Sequence, residues 1–194
     1  MVIGLTGGMG CGKSTAAEIF ASHGFIRLDA DAIVRERLLP DPQVISAVRD
    51  KFGPEVLNAA GQIDRSKLAA RVFTNDEALR WLENLLHPRL LEYWQQTFMA
   101  RPDRNWVVEV PLLFEKGLQK WFDLTVCVAS HSVCQFARLA QRGLTPTLAR
   151  QRIAKQLPLA RKIESADAVL LNDGSLAFLR DQVGLLVSSL PSGR

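Results

Sequence analysis

The most chemically constrained stretch of this chain is GGMGCGKS, from Gly7 to Ser14, which satisfies the phosphate-loop pattern GxxxxGK[ST] in full. Glycines let backbone N–H groups turn inward around an anion, and a helix beginning near Gly12 adds the positive end of its dipole. Gly8, Met9, Gly10, Cys11 and Gly12 then wrap the phosphates of ATP. Lys13 reaches the β and γ phosphates, the Ser14 hydroxyl ligates Mg²⁺, and Thr15 either shares in phosphate binding or packs the helix start. Cys11 sits where a helix dipole can lower a thiol pKa, although filler of the loop is the favoured reading.

A phosphate loop says nucleotide, not reaction. A GTPase needs an NKxD motif, which is absent, and Asp50-Lys51-Phe52-Gly53 fits DxxG only by its letters because it follows a helical pattern. A small-molecule kinase fits better. It needs a group near the acceptor hydroxyl and cations around the transferred phosphoryl. Asp29, Asp31 and Glu109 lie just beyond or at strand ends, where ligands gather in an open parallel sheet. Asp31 accepts or orients the acceptor's proton, or caps the next helix; Glu109 holds magnesium through water, or is a buried, paired carboxylate.

The elements that must position these residues are readable. Val2 to Thr6 is an apolar run leading into the loop, and a helix runs from Lys13 to His23 with Gly24 as its cap. Further strands are predicted at Phe25 to Leu28, Trp106 to Val110, Leu124 to Val128 and Ala168 to Leu171, with helical sequence between them. A helix follows Asp31 and stops before Pro40 and Pro42. Residues 43–100 carry no strand signal, only helices broken at Gly53, Gly61 and His87–Pro88. Thr145 and Pro146 start a helix that Pro158 ends. The fold class is α/β: a P-loop three-layer fold with a five-stranded parallel sheet, a helical substrate subdomain and a lid. Its parts are a nucleotide core (about 1–35, 104–137 and 163–194), the subdomain (about 36–103) and the lid (about 138–162).

Composition narrows the class. The chain of 194 residues has no run of the roughly 20 apolar residues that a membrane span requires, and its start has no basic segment leading into an apolar one. A membrane anchor and a secretory signal are therefore not expected, and residence is taken as cytoplasmic. Three scattered cysteines fit reduced thiols rather than disulfides or a zinc site. Of the net charge of +4, seven Lys or Arg fall between Arg138 and Lys162 without one acidic residue, leaving the rest at −3. That segment suits a triphosphate better than nucleic acid, since aromatics are not interleaved in it; a solvated basic face is the plain alternative. No obligatory protein partner is evident.

With these residues assembled, the chain resembles the dephospho-coenzyme A kinase family along nearly its whole length. LTGGMGCGKST, LDAD followed by Arg35, LLHPRL, VVEVPLLFEKGL and the closing AKQ, SAD and NDGSL stretches agree in order and spacing. The resemblance implies phosphoryl transfer from ATP to the ribose 3′-hydroxyl of dephospho-coenzyme A, giving coenzyme A and ADP. Asp31 matches the family's catalytic aspartate, and Arg35 lies in the same motif. Arg142 stands where the family presents an arginine to the phosphates, and Arg138 exchanges roles with it if the lid, one residue shorter here, shifts register. Asn172 falls in the late motif near the adenine. His87 is structural or contacts substrate. Pro111, Leu112, Leu113, Phe114 and Glu115 line the acceptor side, a packed loop being the alternative for the apolar three. The competing functions are another P-loop nucleoside or sugar-acid kinase and a nucleotide-binding module without turnover.

Overall fold

All five strands form in the computed structural model, which describes residues 1–191. They are β1 (Val2–Gly7), β2 (Ile26–Asp29), β3 (Trp106–Glu109), β4 (Leu124–Ala129) and β5 (Ala168–Leu171). Every pairing is parallel and the order is β2-β3-β1-β4-β5. Parallel strands need crossover connections, and their two covered faces explain the near-continuous apolar runs that made them legible. The register sets Leu5 beside both Glu109 and Val126, and Asp29 beside Glu109. Three acidic or loop-bearing strand ends thus finish at one edge of the sheet.

The chain divides into two compact units, residues 1–29 with 103–194, and residues 30–102. In the first, helix α1 (Lys13–Ser22) and a later helix (Leu176–Ser189) share a core with the sheet. Ile3, Leu5, Val107, Val126 and Val128 meet Ala16, Ala17, Phe20, Leu179 and Val183 there. Burying each large side chain contributes about 1.5–3 kcal/mol, so this face holds the phosphate loop's two flanking elements together. α1 ends one residue earlier than expected, at Ser22 with His23 as its cap, and Gly24 follows at φ 88°.

The second unit is helical. Its elements are α2 (Ala30–Ile33), a π-helical turn (Val34–Leu38), α3 (Pro42–Phe52), α4 (Arg65–Val72) and α5 (Asp76–Ala100). Side-chain caps define the starts: Asp41, Asp64 and Asn75 each accept from two backbone N–H groups of the following turn. Among its buried residues are Val44, Val48, Leu68, Val72, Leu90 and Trp94. Two expectations change here. Asp31 lies inside the first turn of α2 and does not cap it, and the helix after it passes into the π turn, which periodicity does not announce. The predicted break at His87–Pro88 does not occur, because α5 runs through it. Pro88 lacks the N–H that would reach the Asn84 carbonyl, yet the helix continues past it; the Arg89 guanidinium donates to the neighbouring Leu85 carbonyl at 2.9 Å.

The remaining helices, α6 (Ser132–Gln141), α7 (Pro146–Ala154), α8 (Leu159–Ser165) and α9 (Leu176–Ser189), belong to the first unit. Thr145 caps α7 by accepting from Leu148 N, with Pro146 in the first turn.

Candidate nucleotide site

The loop's own backbone explains its glycines. Gly12 sits at φ 89°, ψ 34°, the left-handed region, and a Cβ there would collide with Asn172 Nδ2. Gly10, at φ 79°, approaches so closely that a Cβ would stand 2.9 Å from the Gln135 carbonyl oxygen. Main chain therefore passes where no side chain fits. The turn leads directly into α1, whose first residues are Lys13 and Ser14.

Donors behind the loop hold its carbonyls. Asn172 Nδ2 donates to the Cys11 carbonyl at 2.8 Å, Arg138 Nη1 donates to the Gly10 carbonyl at 3.3 Å, and Ser130 Oγ lies beside them, donating its one proton to the Asn172 carbonyl at 2.8 Å. These donors are themselves linked. Arg138 also reaches Ser130 Oγ (2.9 Å) and the Asn172 carbonyl (2.6 Å), and Gln135 Nε2 donates to the Ser130 carbonyl (2.7 Å). Lys13 Nζ donates to the Gly7 and Gly8 carbonyls at 3.1 and 3.2 Å, so the ammonium lies within the loop.

At the loop's far side, Ser14 Oγ donates to Glu109 Oε2 at 2.9 Å, joining the start of α1 to the end of β3. Glu109 is buried, and its other oxygen accepts from Arg27 Nε at 2.6 Å. Arg27 in turn reaches Glu18 on α1 at 3.4 Å. Glu109 is therefore buried and paired, as the second of its two readings has it, and it touches Ser14.

The structure thus brings Gly8, Met9, Gly10, Cys11, Gly12, Lys13, Ser14, Thr15, Glu109, Arg138 and Asn172 into one neighbourhood of the first unit. Asp31, Arg35 and His87 lie in the second. Asp31 and Arg35 are exposed and His87 is half-buried. Several of these residues have further partners or burial that bear on their roles. Cys11 is fully buried, and that burial pushes its thiol up, outweighing the lowering by nearby Lys13; no dipole-activated thiol exists there. Asn172 turns its amide to the loop's main chain. Arg138 spends its guanidinium on carbonyls, whereas Arg142, at the end of α6, is exposed and its side chain has no hydrogen bond or ion pair among the described residues. Leu113 is wholly buried against the sheet where Gly4 leaves room, in keeping with the packed-loop alternative.

The basic segment is anchored at both ends. Beyond Arg138, Lys162 is wholly buried and donates to the Pro111 carbonyl (2.7 Å) and to Glu115 Oε1 (2.8 Å), which also accepts from Leu157 N (2.9 Å). Glu115 Oε2 is buried without a hydrogen-bond partner among the described residues. Between these anchors α7 buries only Ala149. Sequence reading missed Arg27, Ser130, Gln135 and Lys162; the first sits one strand pair away from Glu109, and the last was counted with a solvated or phosphate-facing stretch.

No helix among the described residues is long and apolar enough to cross a membrane. A family model described as dephospho-CoA kinase matches residues 1–177. Over 194 aligned residues the chain is 37% identical to the dephospho-CoA kinase of Corynebacterium glutamicum, covering 98% of this chain and 97% of that one. A Thermus thermophilus crystal structure superposes with a TM-score of 0.86 at 31% identity, covering 99% and 98% of the two chains. The Campylobacter jejuni dephospho-CoA kinase structure gives 0.71 at 28% identity, covering 96% and 95%. The expected parallel α/β fold and the resemblance drawn from the motifs are both borne out, and the chain belongs to the dephospho-CoA kinase family.

Proposed function

We propose that this chain transfers the γ-phosphoryl group of ATP to the ribose 3′-hydroxyl of dephospho-coenzyme A, yielding coenzyme A and ADP. The observation that carries the proposal is a complete, braced phosphate loop in a chain that matches the family model over residues 1–177. In the transfer, the bond from the γ phosphorus to the bridging oxygen breaks, a bond to the 3′ oxygen forms, and the hydroxyl proton leaves. Asp31 receives that proton, an assignment supported by its exposure and its place two residues beyond the end of β2. Arg35 and His87 hold the acceptor.

Lys13 and the loop amides stabilise charge on the phosphates. Arg142 joins them because its guanidinium is exposed and not committed elsewhere among the described residues, unlike that of Arg138. Residues 146–154 close over the nucleotide as the mobile part of the lid, supported by the single buried residue of α7. Ser14 and Glu109 fit Mg²⁺: they present hydroxyl and carboxylate oxygens 2.9 Å apart, which are hard donors. Because Ser14 donates its proton to Glu109, both hydroxyl lone pairs are left for an outside partner. When bound, Mg²⁺ neutralises charge on the β and γ phosphates.

The test is incubation with ATP, Mg²⁺ and dephospho-coenzyme A, followed by mass measurement and fragmentation of the acceptor. One added phosphate on its ribose is expected. No transfer, or transfer only to a different acceptor, overturns the assignment.

A further inference from the structure

We propose that Arg27 is a positioning residue for the divalent cation of phosphoryl transfer, acting through Glu109 on Ser14; this rests on the functional reading above. The argument starts from burial. Glu109 is 4% exposed, and a buried carboxylate stays charged only if it is paired and hydrogen-bonded. Its surroundings make the need greater. Asp29 lies directly across the β2–β3 ladder from it, and two like charges so placed oppose one another.

Arg27 answers both demands from the same strand as Asp29, two residues earlier, so that it shares the face on which Asp29 and Glu109 project. Its Nε donates to Glu109 Oε1 at 2.6 Å, and its Nη1 reaches Glu18 at 3.4 Å. An arginine serves here where a lysine would not, because a planar fork fixes two directions at once. With Oε1 occupied, Oε2 is the oxygen left to take the proton of Ser14 Oγ at 2.9 Å. The three residues form a relay from β2 through β3 to the first turn of α1. Arg27 sets the carboxylate, the carboxylate sets the hydroxyl, and the hydroxyl, which belongs to an exposed residue, presents its lone pairs outward.

Outer partners of metal ligands typically change metal affinity by about 10- to 100-fold when removed. Among the described residues Arg27 hydrogen-bonds to Glu109 and Glu18 and not to the loop amides or Lys13, so its removal separates cation binding from nucleotide binding. The experiment measures ATP affinity by calorimetry, first with EDTA and then with Mn²⁺, for the parent chain and for Arg27→Met. With EDTA, the two proteins are expected to bind ATP within about twofold of each other; the factor by which Mn²⁺ tightens binding is expected to fall about tenfold in the variant. Electron spin resonance of the Mn²⁺ in the ATP complex provides a readout independent of turnover, and its spectrum is expected to change as the hydroxyl is released. Arg27→Gln, which keeps an N–H donor without the charge, carries the same test if the Met variant does not fold, with a loss of at least about threefold.

An unchanged Mn²⁺ factor together with an unchanged spectrum overturns the inference. So does an equal loss with and without the cation, because that pattern marks a merely structural residue. The outcome stays separate from the functional proposal: the binding measurements need no acceptor, whereas failure of the parent chain to phosphorylate dephospho-coenzyme A touches only the earlier reading.

Discussion

Replacing Gly12 with alanine tests the bracing of the phosphate loop. A non-glycine residue in the left-handed region costs about 1–2 kcal/mol. Its Cβ would also strike Asn172 Nδ2, driving the amide off the Cys11 carbonyl it holds at 2.8 Å and losing a further ~1 kcal/mol. Gly12→Ala is therefore expected to destabilise the chain by about 2–3 kcal/mol. In an Asn172→Ala background the collision and the bond are both gone, and only the dihedral cost of about 1–2 kcal/mol remains. Urea unfolding of the four proteins, read at constant m, gives the cycle, with an expected coupling of about 1 kcal/mol. If the two substitutions add to within about 0.3 kcal/mol, Asn172 does not brace the loop through Gly12 and the account is wrong.

Four other outcomes are expected. Asp31→Asn lowers turnover by about 100-fold or more while leaving ATP affinity nearly unchanged, measured by steady-state kinetics beside calorimetry. Lys162→Met strands Glu115 and costs about 3 kcal/mol or more in denaturant unfolding, part of which Glu115→Gln restores in the double variant. Asp167 accepts from Thr125 Oγ1 at 2.6 Å and Thr125 N at 2.8 Å, and these bonds hold its carboxyl below the usual value of about 4. Its folded pKa is depressed, so its stabilisation is present above the unfolded value and lost as pH falls through the folded one. The stability gap between the parent and Asp167→Ala, small because the group is exposed, is expected to close in acid. Burial pushes Cys127 up to about 12 and Cys11 also upward, so a thiol reagent should label the half-buried Cys134 first, read by peptide mass mapping.

What was legible in the chain was what obeys local rules. The strands showed as apolar runs because both faces of a parallel sheet are covered, and the loop showed in letters because its geometry tolerates so few residues. The α5 helix was misread at Pro88 because a proline removes one hydrogen bond, whereas this helix is 25 residues long and buries Leu86, Leu90 and Trp94 around that point. Leu113 belongs to a motif that resembles an acceptor loop, yet its burial depends on Gly4 two strands' worth of sequence away. Lys162 sat in a run of cations, and only the fold brings Glu115 to it. The signal missed at Arg27 was available in part: a cation two residues before a strand's acidic end faces the same way as that end.

Each peptide of a phosphate loop carries a carbonyl as well as an N–H, and this explains why late residues matter to an early motif. If the amides turn toward an anion, the carbonyls turn away, into protein, and buried carbonyls must find donors. Here Asn172 and Arg138 provide them from the end of β5 and from α6, more than a hundred residues along the chain. A residue type that could bind ATP, such as asparagine or arginine, is the same type that can hold a carbonyl. The sequence motif therefore fixes which backbone faces the phosphate, while only the fold commits the Arg138 guanidinium to the loop's far side, through the Gly10 and Asn172 carbonyls.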